Sequence, residues 1–484
     1  MPQRSFFAMI ALMILIVAGN GLHAQNQDDF QKWLKKDQQS FQKFVEEEDR
    51  AFADFLKKDW QAFNTRQGIR AFKKPKPATV PTAPKKTVPQ PVAPVQKPVP
   101  LPPAPPKPQP IVPKPPVTTP SLKTVSFDYY SQQVVLPAQK KVKLSISVPL
   151  NNRQIANAWL ALAAQNNNPL LRQLRSYRQN LALNDWGFVK LVHQAACQLS
   201  ANEPMDCMLY TWFLLNKLGY NAKLAFRKDR IFLLLPSSDV MYERPFVVIN
   251  QQKFYFITFN GMPDLTGKIL TYRGSYQKAE KPLALAIRRL PHLPQTVEKR
   301  VVRFEYDGKS YAVPLQFDGE VVRYFKNYPQ TNLKLYFQAP ASSYLKYSLL
   351  NSLREIVRDK DEWQAANILL RFVQTGFKYQ TDDQQFGHEK YMLPDETVYY
   401  PSCDCEDRAV LFAYLVRNLL GLEVIGLDYP NHVATAVRFH SEIPGKTIVY
   451  QGKRFVICDP TYINADVGMV MPEFKNTAPK IIAY

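Results

Sequence analysis

Long apolar runs are scarce in this chain of 484 residues. The main one, Phe6 to about Ala18, is too short for a comfortable transmembrane helix, and no second run spans a bilayer, so no integral membrane span is expected. With Arg4 before it and small residues after it, the run reads as a secretory signal peptide over 1–24, cleaved after Leu22-His23-Ala24. A periplasmic or secreted protein follows from that reading. No cysteine follows the cleavage point, which argues against a lipid anchor on the new N-terminus. Cysteine is sparse throughout, and an odd total of five leaves at least one thiol free or paired outside the chain. Acidic residues are outnumbered 41 to 62, giving a net charge of +21. A concentrated basic motif is nevertheless lacking, so nucleic acid is not the expected partner of an exported protein. Attraction to anionic envelope surfaces is the milder implication.

Behind the signal stands a repeat. Phe30, Phe41, Phe52 and Phe63 recur every 11 residues, with Trp33, Phe44 and Phe55 three positions after the first three. Eleven residues make nearly three helical turns, so the aromatics predict one stripe on an amphipathic helix over 26–66. That stripe either folds onto its own domain or, as we favour, supports self-association or a helical partner through residues 28–63. Residues 73–120 then hold 19 of the 40 prolines and eight lysines with no acid. Such a stretch suits neither a helix interior nor a sheet ladder and reads as a disordered or polyproline linker. Globular composition begins near Val125. "KKVKLSISVPL" and "VVRFEYDGKSYAVPLQF" read as strands, the second a hairpin turning at Asp307-Gly308. "EWQAANILLRFVQTGF" reads as a helix.

The chemistry concentrates in "PSCDCEDRAVLFAYLVRNLLGL", residues 401–422. Cys405 begins a helix whose apolar face runs through Ala409, Phe412, Ala413 and Val416, with Gly421 as the stop. A helix N-terminus favours thiolate, but Glu406 and Asp407 oppose that shift, so activating the thiol requires a base. "YPNHVATAVRF" supplies His432 at a strand start, and "YQGKRFVICDPTY" places Asp459 at a strand end. Adjacent antiparallel strands would set that carboxylate beside the imidazole, giving nucleophile, base and orienting acid. Two other readings compete. Cys403, Cys405, His432 and Cys458 are zinc-type ligands, although strand alternation turns Cys458 away if Asp459 faces His432. A Cys403–Cys405 disulfide would block the nucleophile.

Taken in order, "FVQTGFKYQ", "LPDETVYY", "CDCEDRAVLFAYLVR", "DYPNHVATAV" and "CDPTY" resemble the transglutaminase-like superfamily of papain-type cysteine enzymes, over about 365–470. The bacterial and archaeal peptidase branch is the nearest. The resemblance implies an α+β papain-like core with Cys405 as nucleophile, His432 as base and Asp459 as orienting carboxylate, and no cofactor or metal. Cys403 stands where the family pattern has Gly, which makes it a candidate redox modulator. Pro394, Glu396 and Thr397 match a structural motif, and Gln374 is either an oxyanion donor or a supporting amide. The implied substrate is a peptide or protein of the cell envelope. The expected activity is cysteine-dependent amide hydrolysis; the alternatives are an acyl transferase and a non-catalytic envelope scaffold.

"NEPMDCMLYTWFLLNKLGYNAKLAFRKDRIFLLL" aligns without a gap on "DCEDRAVLFAYLVRNLLGLEVIGLDYPNHVATAV". Glu203 then replaces Cys405 and Arg230 replaces His432, while Cys207 is a core thiol near Cys197. Either two helix–strand units look alike by chance, or a duplicated unit has lost its chemistry. The domain plan is thus a degenerate unit over 125–290, a β-rich connection over 300–345 and a catalytic unit over 346–484.

Overall fold

A computed structural model of the chain describes residues 24–68, 80–84, 124–137, 144, 146–227, 229–259, 261, 265 and 269–484. Nearly all of the predicted signal peptide, 1–24, and most of the 73–120 stretch lie outside the described residues. Helix α1 (Ala24–Leu56) forms where the 11-residue period predicts it, but it stops at Leu56. The fourth repeat instead lies in a short strand, β1 (Gln61–Phe63). Nor is the helix a detachable module. Phe52, Ala53 and Leu56 are buried, and the Phe52 ring packs against Trp159, Trp212, Tyr272 and Tyr276. Asp49 accepts a hydrogen bond from Trp159 Nε1 at 3.1 Å and pairs with Lys217 at 2.5 Å. The aromatic stripe has therefore found partners in its own chain over its last turns. Trp33 and Phe44 stay exposed, and the side chains of Phe30 and Phe41 lie outside the described residues.

The first unit continues with a hairpin, β2 (Thr124–Tyr129) and β3 (Gln132–Pro137), and four helices. These are α2 (Asn152–Ala163), α3 (Asn168–Asn180), α4 (Asp185–Leu199) and α5 (Pro204–Lys217). A reciprocal capping box between Asn151 and Gln154 starts α2. The strand expected over 140–150 is not formed in its described part. Leu144 N–H donates to the Asp206 carboxylate, and Pro149 has no N–H to give. Strands β4 (Lys223–Arg227), β5 (Arg230–Pro236), β6 (Phe246–Ile249), β7 (Gln252–Ile257) and β8 (Ile269–Thr271) complete this unit. Cys207 is not a thiol: it is disulfide-bonded to Cys197, one helix to the next.

The long hairpin β9 (Val297–Tyr306) and β10 (Lys309–Asp318) turns at Asp307-Gly308 as expected, both residues having positive φ. The second half of the connection is helical rather than β-rich, with α6 (Gly319–Phe325) and α7 (Leu333–Phe337). The second unit holds α8 (Ser343–Val357), α9 (Glu362–Gly376), β11 (Lys378–Tyr379), α10 (Asp382–Gln385), α11 (Pro394–Tyr399), β12 (Ser402–Cys403) and α12 (Cys405–Leu415). Its sheet is built from β13 (Glu423–Tyr429), β14 (His432–Arg438), β15 (Thr447–Tyr450), β16 (Lys453–Cys458) and β17 (Lys480–Ile482).

The fold is mixed α+β, and its two larger sheets share one connectivity. The first runs β8-β4-β5-β7-β6, with β1 added beyond β8; the second runs β17-β13-β14-β16-β15, and every pairing is antiparallel. Each follows a helix that ends at a left-handed glycine, Gly219 or Gly421. In the gap-free alignment Arg230–Pro236 falls on His432–Arg438 end to end, and both are single strands. The helices of both units share one continuous core, while the outer face of each sheet carries its own apolar cluster. No helix among the described residues is long and apolar enough to cross a membrane.

Because Phe52 is buried among four aromatic rings, Phe52→Ala should destabilise the protein by about 3–5 kcal/mol. The exposed Phe44→Ala should change stability by less than about 0.5 kcal/mol. Urea unfolding of the two variants checks this, and equal small effects would return α1 to the status of an independent module.

Candidate active site

The first turn of α12 places Cys405. Asp404 is the N-cap, and Asp404 and Asp407 form a reciprocal capping box. Asp407 also accepts from Met392 N–H at 2.8 Å, which ties the helix start to the segment before α11. Cys405 is thus the first helical residue, as expected, and it is fully buried. Its sulfur lies 3.3 Å from Glu406 Oε2. Of the two neighbouring acids, then, Asp407 is turned away to cap the backbone while Glu406 faces the thiol.

Strand pairing brings in the other two groups. Strand β14 lies beside β16 with Thr435 opposite Cys458 and Ala436 opposite Ile457. His432, the first residue of β14, and Asp459, the residue after β16, fall on the face shared by Ala434, Ala436 and Ile457. His432 Nε2 lies 2.8 Å from Asp459 Oδ2, both groups buried. A carboxylate only accepts, so Nε2 carries the proton and Nδ1 is the basic atom. Nδ1 is buried and makes no hydrogen bond of good geometry. The Asp459 carboxylate is fixed in turn by its own loop: Oδ1 accepts from Thr461 N–H at 2.9 Å and Tyr462 N–H at 3.1 Å. The Asp-Pro-Thr sequence is therefore an Asx-type turn that aims a carboxylate.

Burial opposes charge on the His432 ring, but the Asp459 carboxylate, through its charge and hydrogen bond, and then the Cys405 sulfur outweigh it, raising the pKa to about 10. The sulfur is thus within interacting range of the imidazole. A ring charged at neutral pH is the partner that a thiolate needs. Phe474 stacks on His432 with ring centres 5.2 Å apart and planes 8° from parallel, covering one side of the base. Nothing in the sequence pattern pointed to Phe474, which lies on a short 3-10 turn (Pro472–Phe474).

Gln374 is not placed to donate to an oxyanion. Its Nε2 is committed to Asp459 O at 3.0 Å and Ala465 O at 2.9 Å, so it braces the loop after β16 from α9. Asn367, about two turns earlier on the same face of α9, accepts from Val467 N–H in the same loop. Cys403 and Cys405 are both free thiols, so the blocking disulfide is not formed. Burial pushes the Cys403 thiol up to about 12 despite the pull of Arg408, which makes it a poor nucleophile. Cys458 belongs to the helix-facing face of the sheet, with Val433, Val437 and Val456, and its thiol contacts Val456 O at 3.6 Å. It points away from Asp459, as alternation requires, and the zinc set is split. Pro394 opens α11, and Glu396 is salt-bridged to buried Lys390 at 2.6 Å, a structural role.

Carboxylates do converge below the site. Asp382, Asp404 and Asp407 bring oxygens within 4.8 Å of one another, as do Asp382, Glu389 and Glu406. They already serve the backbone: Asp382 accepts from Lys390 N–H and Asp407 from Met392 and Asp404 N–H. In the first unit the equivalent positions hold other side chains. Glu203 is an exposed N-cap, Arg230 is exposed, and Thr258 follows β7 where Asp459 follows β16.

With a folded-state value near 10, the His432 charge stabilises the fold fully below the unfolded imidazole range near 6.5, and that contribution is lost as pH rises through 10. The melting-temperature difference between wild type and His432→Gln should therefore shrink from pH 6 to pH 10.5, read by scanning calorimetry. A difference that grows with pH would reverse the assignment of charge. No family model matches this chain, and no curated protein or solved structure matches it either.

Proposed function

We propose that the chain is a transglutaminase-like cysteine hydrolase acting on amide bonds of envelope peptides or proteins. The observation that carries this reading is the buried 2.8 Å His432–Asp459 pair, whose ring also interacts with a helix-initiating cysteine. With the His432 ring already charged, a Cys405 thiolate attacks the acyl carbon, its proton having passed to His432 Nδ1 beforehand. The same nitrogen then protonates the leaving amine, and water attacks the thioester with His432 as base. Asp459 keeps the tautomer fixed throughout. The backbone N–H of Cys405, the first residue of α12, has no acceptor within the helix and is the donor at hand for the oxyanion. Water is always present, whereas an acceptor amine needs its own site, so hydrolysis ranks above acyl transfer.

The identical strand order of the two sheets supports a duplicated papain-like unit whose first copy keeps the fold with Glu203, Arg230 and Thr258 in place of the triad. An oxidising compartment fits the Cys197–Cys207 disulfide and the signal-like start. One observation favours a non-catalytic envelope scaffold instead: Cys405, His432 and Asp459 are all closed off from solvent.

Incubating the purified protein with envelope extracts and comparing products by mass spectrometry tests both readings. Cys405→Ala and His432→Ala should each remove the cleavage products, with rates falling by about four orders of magnitude. Asp459→Asn should leave a residue of activity, and Arg230→Ala should leave turnover unchanged. Product profiles identical to those of Cys405→Ala under reducing conditions would leave the scaffold reading standing.

A further inference from the structure

One short piece of the proline-rich stretch is docked. Residues 80–84, Val-Pro-Thr-Ala-Pro, run extended along the loop that follows Asp459. Thr82 bridges Ile463 in the parallel sense: Ile463 N–H donates to Pro81 O at 3.0 Å and Ala83 N–H donates to Ile463 O at 2.7 Å. Ala83 is buried, only 3% exposed, in a cluster with Tyr462, Ala465 and Met471, against which Met469 and Phe474 pack. This is the loop whose first residue orients His432, and Phe474 is the ring that covers His432.

We infer that the edge of residues 462–471 is a docking site for an extended peptide with a small side chain between prolines. Residues 80–84 fill it in cis and hold the Phe474 turn down over the catalytic base. The chemistry of the occupant is set by the contacts. Only one N–H, that of Ala83, and one carbonyl, that of Pro81, are used, so prolines at 81 and 84 forfeit no bond to this edge. Their fixed φ keeps the segment extended before it binds and lowers the entropy lost on docking. The buried position takes a methyl group, and a long or charged side chain has no room beside Met471, which is itself fully buried. Strand addition of this kind is a recurrent way of capturing peptides. The site accounts for the closed state of the centre and requires no turnover, so it stands or falls apart from the hydrolase reading.

The test is the alkylation rate of Cys405 by iodoacetamide in the full chain, located by peptide mass mapping. Ala83→Arg should raise that rate by about tenfold, because the segment can no longer seat and the Phe474 turn is released. A synthetic peptide of residues 79–86, added in excess, should bring the rate back down, and the same peptide with arginine at its fourth-from-last position, the place of Ala83, should not. Replacing residues 80–84 with Gly-Ser repeats serves as the second variant and should behave as Ala83→Arg does. An unchanged rate in both variants would overturn the inference. So would a raised rate that the peptide fails to lower, since that would mean general loosening in place of a vacated site.

Discussion

The carboxylate of Asp459 is the joint on which the second unit of the molecule turns. One oxygen holds the His432 ring and the other is held by two N–H groups of the next turn. A carboxylate fixed at both ends cannot rotate without breaking a buried charge-assisted bond, so the imidazole keeps one tautomer and one orientation. The same loop is anchored from behind by Gln374 and Asn367 of α9. Helix, strand end and loop therefore form one rigid corner, and the base is delivered to the sulfur by architecture rather than by chance encounter.

Opposite that corner, the start of α12 shows how several acids can be buried beside a free thiol without mutual expulsion. Asp404 and Asp407 are consumed in capping, Glu396 is paired with Lys390, and Arg408 donates to Phe377 O while lying over the Tyr379 ring. Buried charges persist where each has a partner, and removing one partner leaves the other stranded at a cost of several kcal/mol. Glu406 is the acid directed at the sulfur. The sulfur thus lies between a carboxylate and the imidazole.

Much of this was legible in the sequence because it depends on local chemistry and short-range alternation. Cys405 at a helix start, His432 at a strand start and Asp459 at a strand end follow from pattern, and alternation alone predicted that Cys458 would turn away. The hairpin at Asp307-Gly308 was equally local. What escaped depends on contacts distant in sequence. The aromatic period of α1 was read correctly as a helix, but periodicity cannot say whether a stripe meets another chain or, as at Phe52, its own core. The role of Gln374 rests on carbonyls far along the chain, and Phe474 reaches His432 from a turn with no regular period. Proline composition at 73–120 argued against a sheet, yet a single bridge needs only one N–H and one carbonyl, and Thr82 sits where both are on offer.

The N-terminal segment is stitched to the first unit by the Asp49–Lys217 pair, by β1 beside β8, and by the mutual backbone bonds of Arg66 and Phe246. Its next described attachment, at Thr82, is on the second unit. Between Gly68 and Val80 the backbone has a contour length of about 40 Å at most. That length is a mechanical limit: the attachments at Phe246 and Ile463 cannot be drawn further apart than this leash allows without unzipping one of them, and the one at Ile463 rests on two hydrogen bonds and the seating of Ala83.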